Sequence, residues 1–281
     1  MPLNRVGYLG PQGTFSEEAA LVYKKNTSRV LYEYSTIGAV IEAVSTGKIE
    51  EGLVPLENRL EGGVGATLDC LAGCEGIFIK EEMLYPISLC LMAEHKVRLE
   101  QINALLSHPH ALGQCSEFVK THLAGVECIP AESTGAAARN LVGQTGFAAI
   151  APRRAAELFN LHLLREGIED SKENATRFVI ISRLDHPPTG NDKTSLVLTI
   201  PDQPGSLYRV LGCFARRRIN LTRIESRPSR RIIGDWLFFI DCEGHRSDAH
   251  KDELWKEIAG EVTYFKLLGS YPRREEKAEV Y

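Results

Sequence analysis

The feature that most constrains this chain is a change of rhythm at residues 186–192, where His186-Pro187-Pro188-Thr189-Gly190-Asn191-Asp192 concentrates turn formers. Before it, short apolar runs alternate with stretches of helical spacing. Arg5–Leu9, Leu31–Tyr34, Gly52–Leu56, Leu84–Met92, Ala104–Leu106, Glu127–Ile129, Phe147–Ile150 and Phe178–Ile181 read as strands. Thr14–Lys25, Ile37–Val44, Ala111–Thr121, Gly135–Leu141 and Arg153–Leu158 read as helices. This alternation predicts βαβ units and a mostly parallel sheet. The long apolar run after Glu82 suits a crossing between two lobes. After the turn formers the order is strand Ser195–Ile200, helix Gly205–Arg217, and strands Leu221–Ser226 and Trp236–Asp241 around a turn at Ser229–Gly234. Helix Asp248–Ile258 and strand Val262–Gly269 complete a βαββαβ unit, the order of the ferredoxin-like fold. The charged tail PRREEKAEVY is expected to fray.

With 281 residues the chain suits two domains or three smaller units. Its net charge of -4 argues against a nucleic-acid binder, which carries a basic field. No apolar run approaches the ~20 residues that cross a bilayer. MPLNRVGYLG reads as a short lead into a strand without the apolar stretch of a signal peptide, so a cytoplasmic location is expected. The seven cysteines are dispersed and lack zinc-ligand spacing, which suits reduced thiols and predicts no metal.

Five polar segments sit where apolar runs end. Gly10-Pro11-Gln12-Gly13-Thr14-Phe15-Ser16 joins a strand to a helix, and its glycines, free helix N–H groups and the Thr14 and Ser16 hydroxyls suit a carboxylate, or make an ordinary capped turn. Glu57 and Asn58 end a strand at the edge where α/β sheets bind ligands, or lie in a solvated loop. In Ser107-His108-Pro109-His110 either histidine can act as acid or base, and Gln114, one turn on, can donate to a ligand oxygen. Ser133 and Thr134 open a helix as a second anion seat or a plain N-cap. Thr176 brings a hydroxyl to the start of a strand; Arg177 brings a fork for a carboxylate, or faces solvent or a structural Glu. Past the turn formers, the turn before Ser206 exposes N–H groups that fit a small carboxylate. No dinucleotide fingerprint or nucleophile elbow occurs, so neither redox cofactor nor covalent nucleophile is expected.

Taken together these segments resemble the prephenate dehydratase family. GPQGTFSEEAA, VPLENRLEGGVGATLD, SHPHALGQC, ESTGAAA and NATRF are similar to its catalytic motifs, and PDQPGSLYRVL and RIESRP to the ligand motifs of its ACT domain, all in the family's order. Small departures are His110 at a variable position, Arg59 after Glu57-Asn58, and Ser206 in place of a frequent Ala.

The resemblance implies a catalytic part at 1–185, folded as two α/β lobes like type II periplasmic binding proteins. The lobes are expected at roughly 1–82 with 165–185, and at 83–164, followed by an ACT domain at 193–272. It implies decarboxylative dehydration of prephenate to phenylpyruvate without a cofactor, with Thr176 as the donor to the leaving hydroxyl and Glu57, Asn58 or Gln114 supporting it in a relay. Thr14, Ser16, Ser133 and Thr134 would seat carboxylates, with Arg177 as a further grip, and Phe15 or Phe178 would wall the departing carboxylate. Phenylalanine would act at paired ACT domains through Gly205, Ser206, Leu207, Asn220, Leu221, Glu225 and Ser226, in a homodimer or homotetramer. The competing readings are an arogenate dehydratase and a non-catalytic two-lobed solute sensor, the latter normally carrying an export signal.

Overall fold

The computed structural model describes residues 4–229, 236–249 and 251–274. The expected turn at Ser229–Gly234, residue 250 of the expected helix, and the tail from residue 275 lie wholly or partly outside these.

The first lobe is built from β1 (Arg5–Leu9), α1 (Phe15–Lys24), β2 (Val30–Tyr34), α2 (Ile37–Ser45), β3 (Glu51–Asn58), the short β4 (Gly62–Gly63), α3 (Gly65–Gly73) and β5 (Phe78–Pro86). The chain then crosses through Ile87–Leu89 into a second lobe. That lobe holds β6 (Cys90–Ala93), β7 (Ala104–Ser107), α4 (Pro109–Gln114), α5 (Ser116–His122), β8 (Glu127–Pro130), α6 (Thr134–Arg139), β9 (Phe147–Ala151), α7 (Arg153–Phe159) and β10 (His162–Glu166). It returns to the first lobe as β11 (Ala175–Ser182). The first sheet has the order β2-β1-β3-β11-β5, with β4 beside β3; the second has the order β10-β6-β9-β7-β8.

The fold class is as expected, with three corrections. The sheets are mixed, because β11 enters antiparallel between β3 and β5, and β6 runs antiparallel to both β9 and β10. A strand that returns from the other lobe must arrive from the opposite end. The expected lobe limits at 82/83 and 164/165 fall inside β5 and β10, so the crossings lie a few residues later. The apolar run Leu84–Met92 is two strands on two sheets, since continuous hydrophobicity reports burial and not where a strand ends.

The third unit holds β12 (Asp192–Thr199), α8 (Ser206–Arg216), β13 (Leu221–Pro228), β14 (Trp236–Glu243), α9 (Lys251–Glu261) and β15 (Tyr264–Pro272). Its antiparallel sheet, ordered β13-β14-β12-β15, is ferredoxin-like. α8 and α9 pack on one face, around Leu196, Leu198, Phe214, Ile240 and Trp255. The other face lies on the first lobe: Val197, Phe239, Leu268 and Tyr271 share one core with Val54, Leu68, Ile79 and Ile181. Strands covered on both faces read as continuous apolar runs, which is the pattern of Leu196-Val197-Leu198. At Gly269 (φ +147°), β15 lies so close to the Ile79 backbone that a Cβ would collide with it. Two further contacts fasten the unit: the Tyr264 hydroxyl donates to Ala72 O (2.8 Å) and Lys266 Nζ to Leu71 O (2.8 Å). These carbonyls end α3, where no further helical N–H is available.

Candidate active site

A cleft of about 660 Å³ separates the two lobes, within the usual range for small-molecule sites. The chain leaves the carboxyl ends of β1, β2, β3, β7 and β8 around it, where open α/β sheets bind ligands.

Thr176 and Asn58 are cross-strand partners on β11 and β3, and both face the cleft. The Asn58 amide has a defined orientation. Its Oδ1 accepts from the Leu60 and Glu61 N–H groups at 3.0 and 3.2 Å, so its Nδ2 donates to Thr176 Oγ1 at 2.9 Å. The Thr176 oxygen is therefore an acceptor within the protein, and its own proton remains for a molecule in the cleft.

Gln114, in the second lobe, is held from both sides: its Nε2 donates to Glu61 Oε1 (2.8 Å) and its Oε1 accepts from Asn174 Nδ2 (3.2 Å). His110 pairs with the same Glu61, so α4 is tied to the β3–β4 loop across the cleft. His108 is lowered below the ordinary histidine value by burial and then by His110, which keeps it neutral at pH 7. Its Nδ1 accepts from the His110 N–H at 3.3 Å.

The expected carboxylate seats also line the cleft. The Thr14 hydroxyl donates to Pro11 O (2.8 Å), while Glu17 accepts the Gly13 N–H (2.6 Å), so that one loop N–H is already taken. Thr14, Phe15 and Ser16 bring the first turn of α1 to the cleft, and Ser133 and Thr134 bring that of α6. Ser133 Oγ accepts from Ala136 N (3.0 Å), which leaves its proton free to point outward. The two loops touch across the lobes: a Cβ on Gly135 would lie 2.5 Å from Gln12 O.

Three expected residues are elsewhere. Alternation along β3 and β11 turns Glu57 and Arg177 to the opposite face, toward the third unit. There Arg177 Nη1 pairs with Asp241 Oδ2 (2.7 Å) and Glu57 Oε2 with Arg223 Nε (3.2 Å). Arg177 is therefore engaged in an ionic contact and is no grip for a ligand in the cleft. Phe178 is 1% exposed, packed with Val6, Tyr8, Ala19 and Leu53 beneath α1, so it is core and not wall. Phe15, Leu9, Ile87 and Leu89 make the apolar wall. Glu33, Ser35 and Arg139 also line the cleft and were missed. Glu33 and Ser35 flank the end of β2, a position the strand-end rule identifies; Arg139, late in α6, carries no signal in the sequence.

In the third unit, Gly205, Ser206 and Leu207 edge a cavity of about 370 Å³ with Tyr208, Trp236 and Phe238. Asn220 borders a different cavity, and Glu225 is turned to the first lobe, paired with Arg223 and beside Gly63. One chain thus gathers Gly205, Ser206 and Leu207 at the cavity, with Ser226 paired to Phe238 across the sheet, and leaves Asn220 and Glu225 apart from it.

A two-lobed α/β unit with a polar cleft, fused to a ferredoxin-like unit with its own cavity, defines a class: a ligand-enclosing catalytic-type domain with an appended sensor-type domain. The sequence matches the families "Prephenate dehydratase" over residues 6–186 and "ACT domain" over residues 194–259. It is 38% identical to the bifunctional chorismate mutase/prephenate dehydratase of Aquifex aeolicus, over 96% of this chain and 74% of that one. The solved structure of a prephenate dehydratase from Arthrobacter aurescens, in complex with L-Phe, superposes with a TM-score of 0.88 at 36% identity, covering 96% and 90% of the two chains. The structure of GqqA, a quorum quenching acylase, superposes with a TM-score of 0.85 at 28% identity, covering 96% and 98%. The chain belongs to the prephenate dehydratase family and carries an ACT domain.

Proposed function

We propose that the cleft binds prephenate and converts it to phenylpyruvate, making this chain a carbon–oxygen lyase with residues 1–185 as its catalytic part and residues 193–272 as its regulatory domain. Prephenate takes up one proton and loses carbon dioxide and water. The electrons of the C–CO₂ bond complete the aromatic ring and the ring hydroxyl leaves with the proton. The observation that supports this reading is the direction of the Asn58–Thr176 hydrogen bond, which makes the Thr176 oxygen the acceptor and leaves its proton for a molecule in the cleft. A threonine hydroxyl is a poor acid on its own. The Asn58 N–H, already aimed at its oxygen, stabilises charge that develops there as the proton shifts, and such assistance contributes about 10²–10⁴ in rate. The first turns of α1 and α6 suit the substrate's carboxylates. The apolar wall of Phe15, Ile87 and Leu89 suits the carboxylate that departs. Gln114 holds the lobes together around the site.

An acyl-transfer reading, prompted by GqqA, finds less support. Among the described residues the hydrogen-bond partner of Thr176 Oγ1 is the Asn58 amide, and a hydroxyl nucleophile needs a base.

The ACT domain is assigned phenylalanine, the amino acid bound in the Arthrobacter relative, with Gly205, Ser206 and Leu207 meeting its polar end. Asn220 borders a different cavity and Glu225 faces the first lobe, so any part these two play needs a second copy, whereas Ser226 pairs across the sheet with Phe238 of the cavity. The exposed Tyr208, Trp236 and Ile224 offer apolar surface for a homo-oligomer. Among the described residues no helix is long and apolar enough to cross a membrane. The test is an absorbance assay for phenylpyruvate formed from prephenate, with and without phenylalanine and with arogenate as competitor. Absence of turnover rejects the reaction, and absence of phenylalanine binding by calorimetry rejects the regulation.

A further inference from the structure

The strand pair that carries the cleft's hydroxyl and amide is gripped from behind by the ACT domain. Thr176 faces Asn58 across β11 and β3, and the next pair, Arg177 and Glu57, points the opposite way. Behind the sheet, Arg177 Nη1 lies 2.7 Å from Asp241 Oδ2 and Nη2 donates to the Tyr271 hydroxyl over 2.8 Å. Nε is 2.8 Å from Glu82 Oε2, off the line of its N–H. Ser195 Oγ donates to the second Asp241 oxygen (2.6 Å) and lies 2.5 Å from the Tyr271 hydroxyl. Lys193 and Arg223 complete the cluster, on Glu82 (3.0 Å) and Glu57 (3.2 Å). Three cations, Arg177, Lys193 and Arg223, thus meet three carboxylates, Glu57, Glu82 and Asp241. Asp241, Tyr271 and Ser195 are essentially inaccessible to solvent.

We propose that Arg177 is a positioning residue for Thr176, and that the ACT domain sets its place by holding the guanidinium through Asp241 and Tyr271. Stability alone does not account for an ionic contact here, because desolvating charges offsets most of their attraction and apolar groups fill such interfaces as well. A fork held at several points does account for it, since it fixes direction as well as distance. The adjacent residue, Thr176, is paired with Asn58 on one side and Tyr85 on the other, so it follows Arg177. β14 supplies the link to the ligand cavity: Trp236 and Phe238 line that cavity, and Asp241 lies three residues beyond Phe238 on the same strand. A ligand that favours a shifted β14 moves Asp241, Arg177 and the Thr176 hydroxyl together, to the extent of its differential affinity for the two arrangements.

This inference rests on the dehydratase reading above, and the experiment separates the two. Asp241→Asn, Tyr271→Phe and Glu57→Gln are made in the full chain. Steady-state kinetics with prephenate, phenylalanine binding by calorimetry and thermal midpoints are measured for each, at a temperature well below unfolding. Asp241→Asn is expected to lower kcat by about ten- to a hundredfold, as small misplacements of a reacting group do. KM stays unchanged because no cleft residue is touched, and phenylalanine still binds while its effect on kcat shrinks. A merely structural contact predicts a lower thermal midpoint with kcat and the phenylalanine response intact, and that result overturns the proposal. If Asp241→Asn does not fold, Tyr271→Phe and Glu57→Gln carry the same expectation, and wild-type kcat and response in both overturn it equally. Inactivity of the wild-type chain toward prephenate defeats the dehydratase reading, whereas an active wild type whose variants keep wild-type kcat and phenylalanine response defeats only this inference.

Discussion

Replacing Asn58 by aspartate changes one group in the cleft and reverses one hydrogen bond. In the wild type Nδ2 donates to Thr176 Oγ1 over 2.9 Å, and Oδ1 accepts the Leu60 and Glu61 N–H groups. Aspartate keeps the second role with one carboxylate oxygen and puts an acceptor where the donor was. The contact is then filled by the threonine's own proton, which turns out of the cleft. If that proton assists the departing hydroxyl, the loss is about 10²–10⁴ in kcat, or roughly 2.7–5.4 kcal/mol of transition-state stabilisation at about 1.36 kcal/mol per decade. Stability should change little, because a neutral hydrogen bond is exchanged for a charge-assisted one. The assay is steady-state phenylpyruvate formation, with circular dichroism and a thermal midpoint to show that the variant is folded. Thr176→Val should lose as much, and the double variant no more than either single one, since both remove the same proton. A folded Asn58→Asp enzyme with wild-type turnover would refute the assignment of donor and acceptor, and with it the role of Thr176.

Three further outcomes are expected. Gly135→Ala places a methyl 2.5 Å from Gln12 O and should hold the lobes apart, raising KM for prephenate in steady-state assays while the thermal midpoint stays near that of the wild type. Gly269→Ala combines a φ of +147° with a collision against the Ile79 backbone, and should cost about 1–3 kcal/mol in denaturant unfolding. Burial would raise the Asp241 carboxyl, but Arg177 and then Arg223 outweigh it and hold the group below its ordinary value of 3.8. A depressed carboxyl stabilises fully above the ordinary value and less as the pH falls below it toward the folded one. Acid should therefore weaken ACT docking below about pH 4, seen as a falling thermal midpoint whose slope Asp241→Asn flattens.

Much of this was legible in the sequence, and each failure has a cause. Apolar runs ended at polar residues where strands meet the cleft, so Thr14, Ser16, Asn58, Gln114, Ser133 and Thr176 were found as cleft residues. The same rule places Glu57 and Arg177 there too, because it treats residues adjacent in sequence as neighbours on one face. On a strand, neighbours point opposite ways. Phe178 has the right parity for the cleft side, but α1 covers it. Arg139 comes late in its helix, and a cation on an exposed turn looks like any other.

Local chemistry by itself determined the elements, their order, the break near residues 186–192 and the polar ends that make a cleft, because turn residues, apolar period and helix starts act over a few positions. Only the tertiary structure decided that β11 inserts between β3 and β5, that the ACT sheet lies face-down on the first lobe, and that Arg177 points away from Thr176 to meet Asp241 and Tyr271. Those outcomes depend on which faces remain to be covered once every strand is paired, and on charges brought together across some sixty to ninety residues of chain, 64 for Asp241 and 94 for Tyr271.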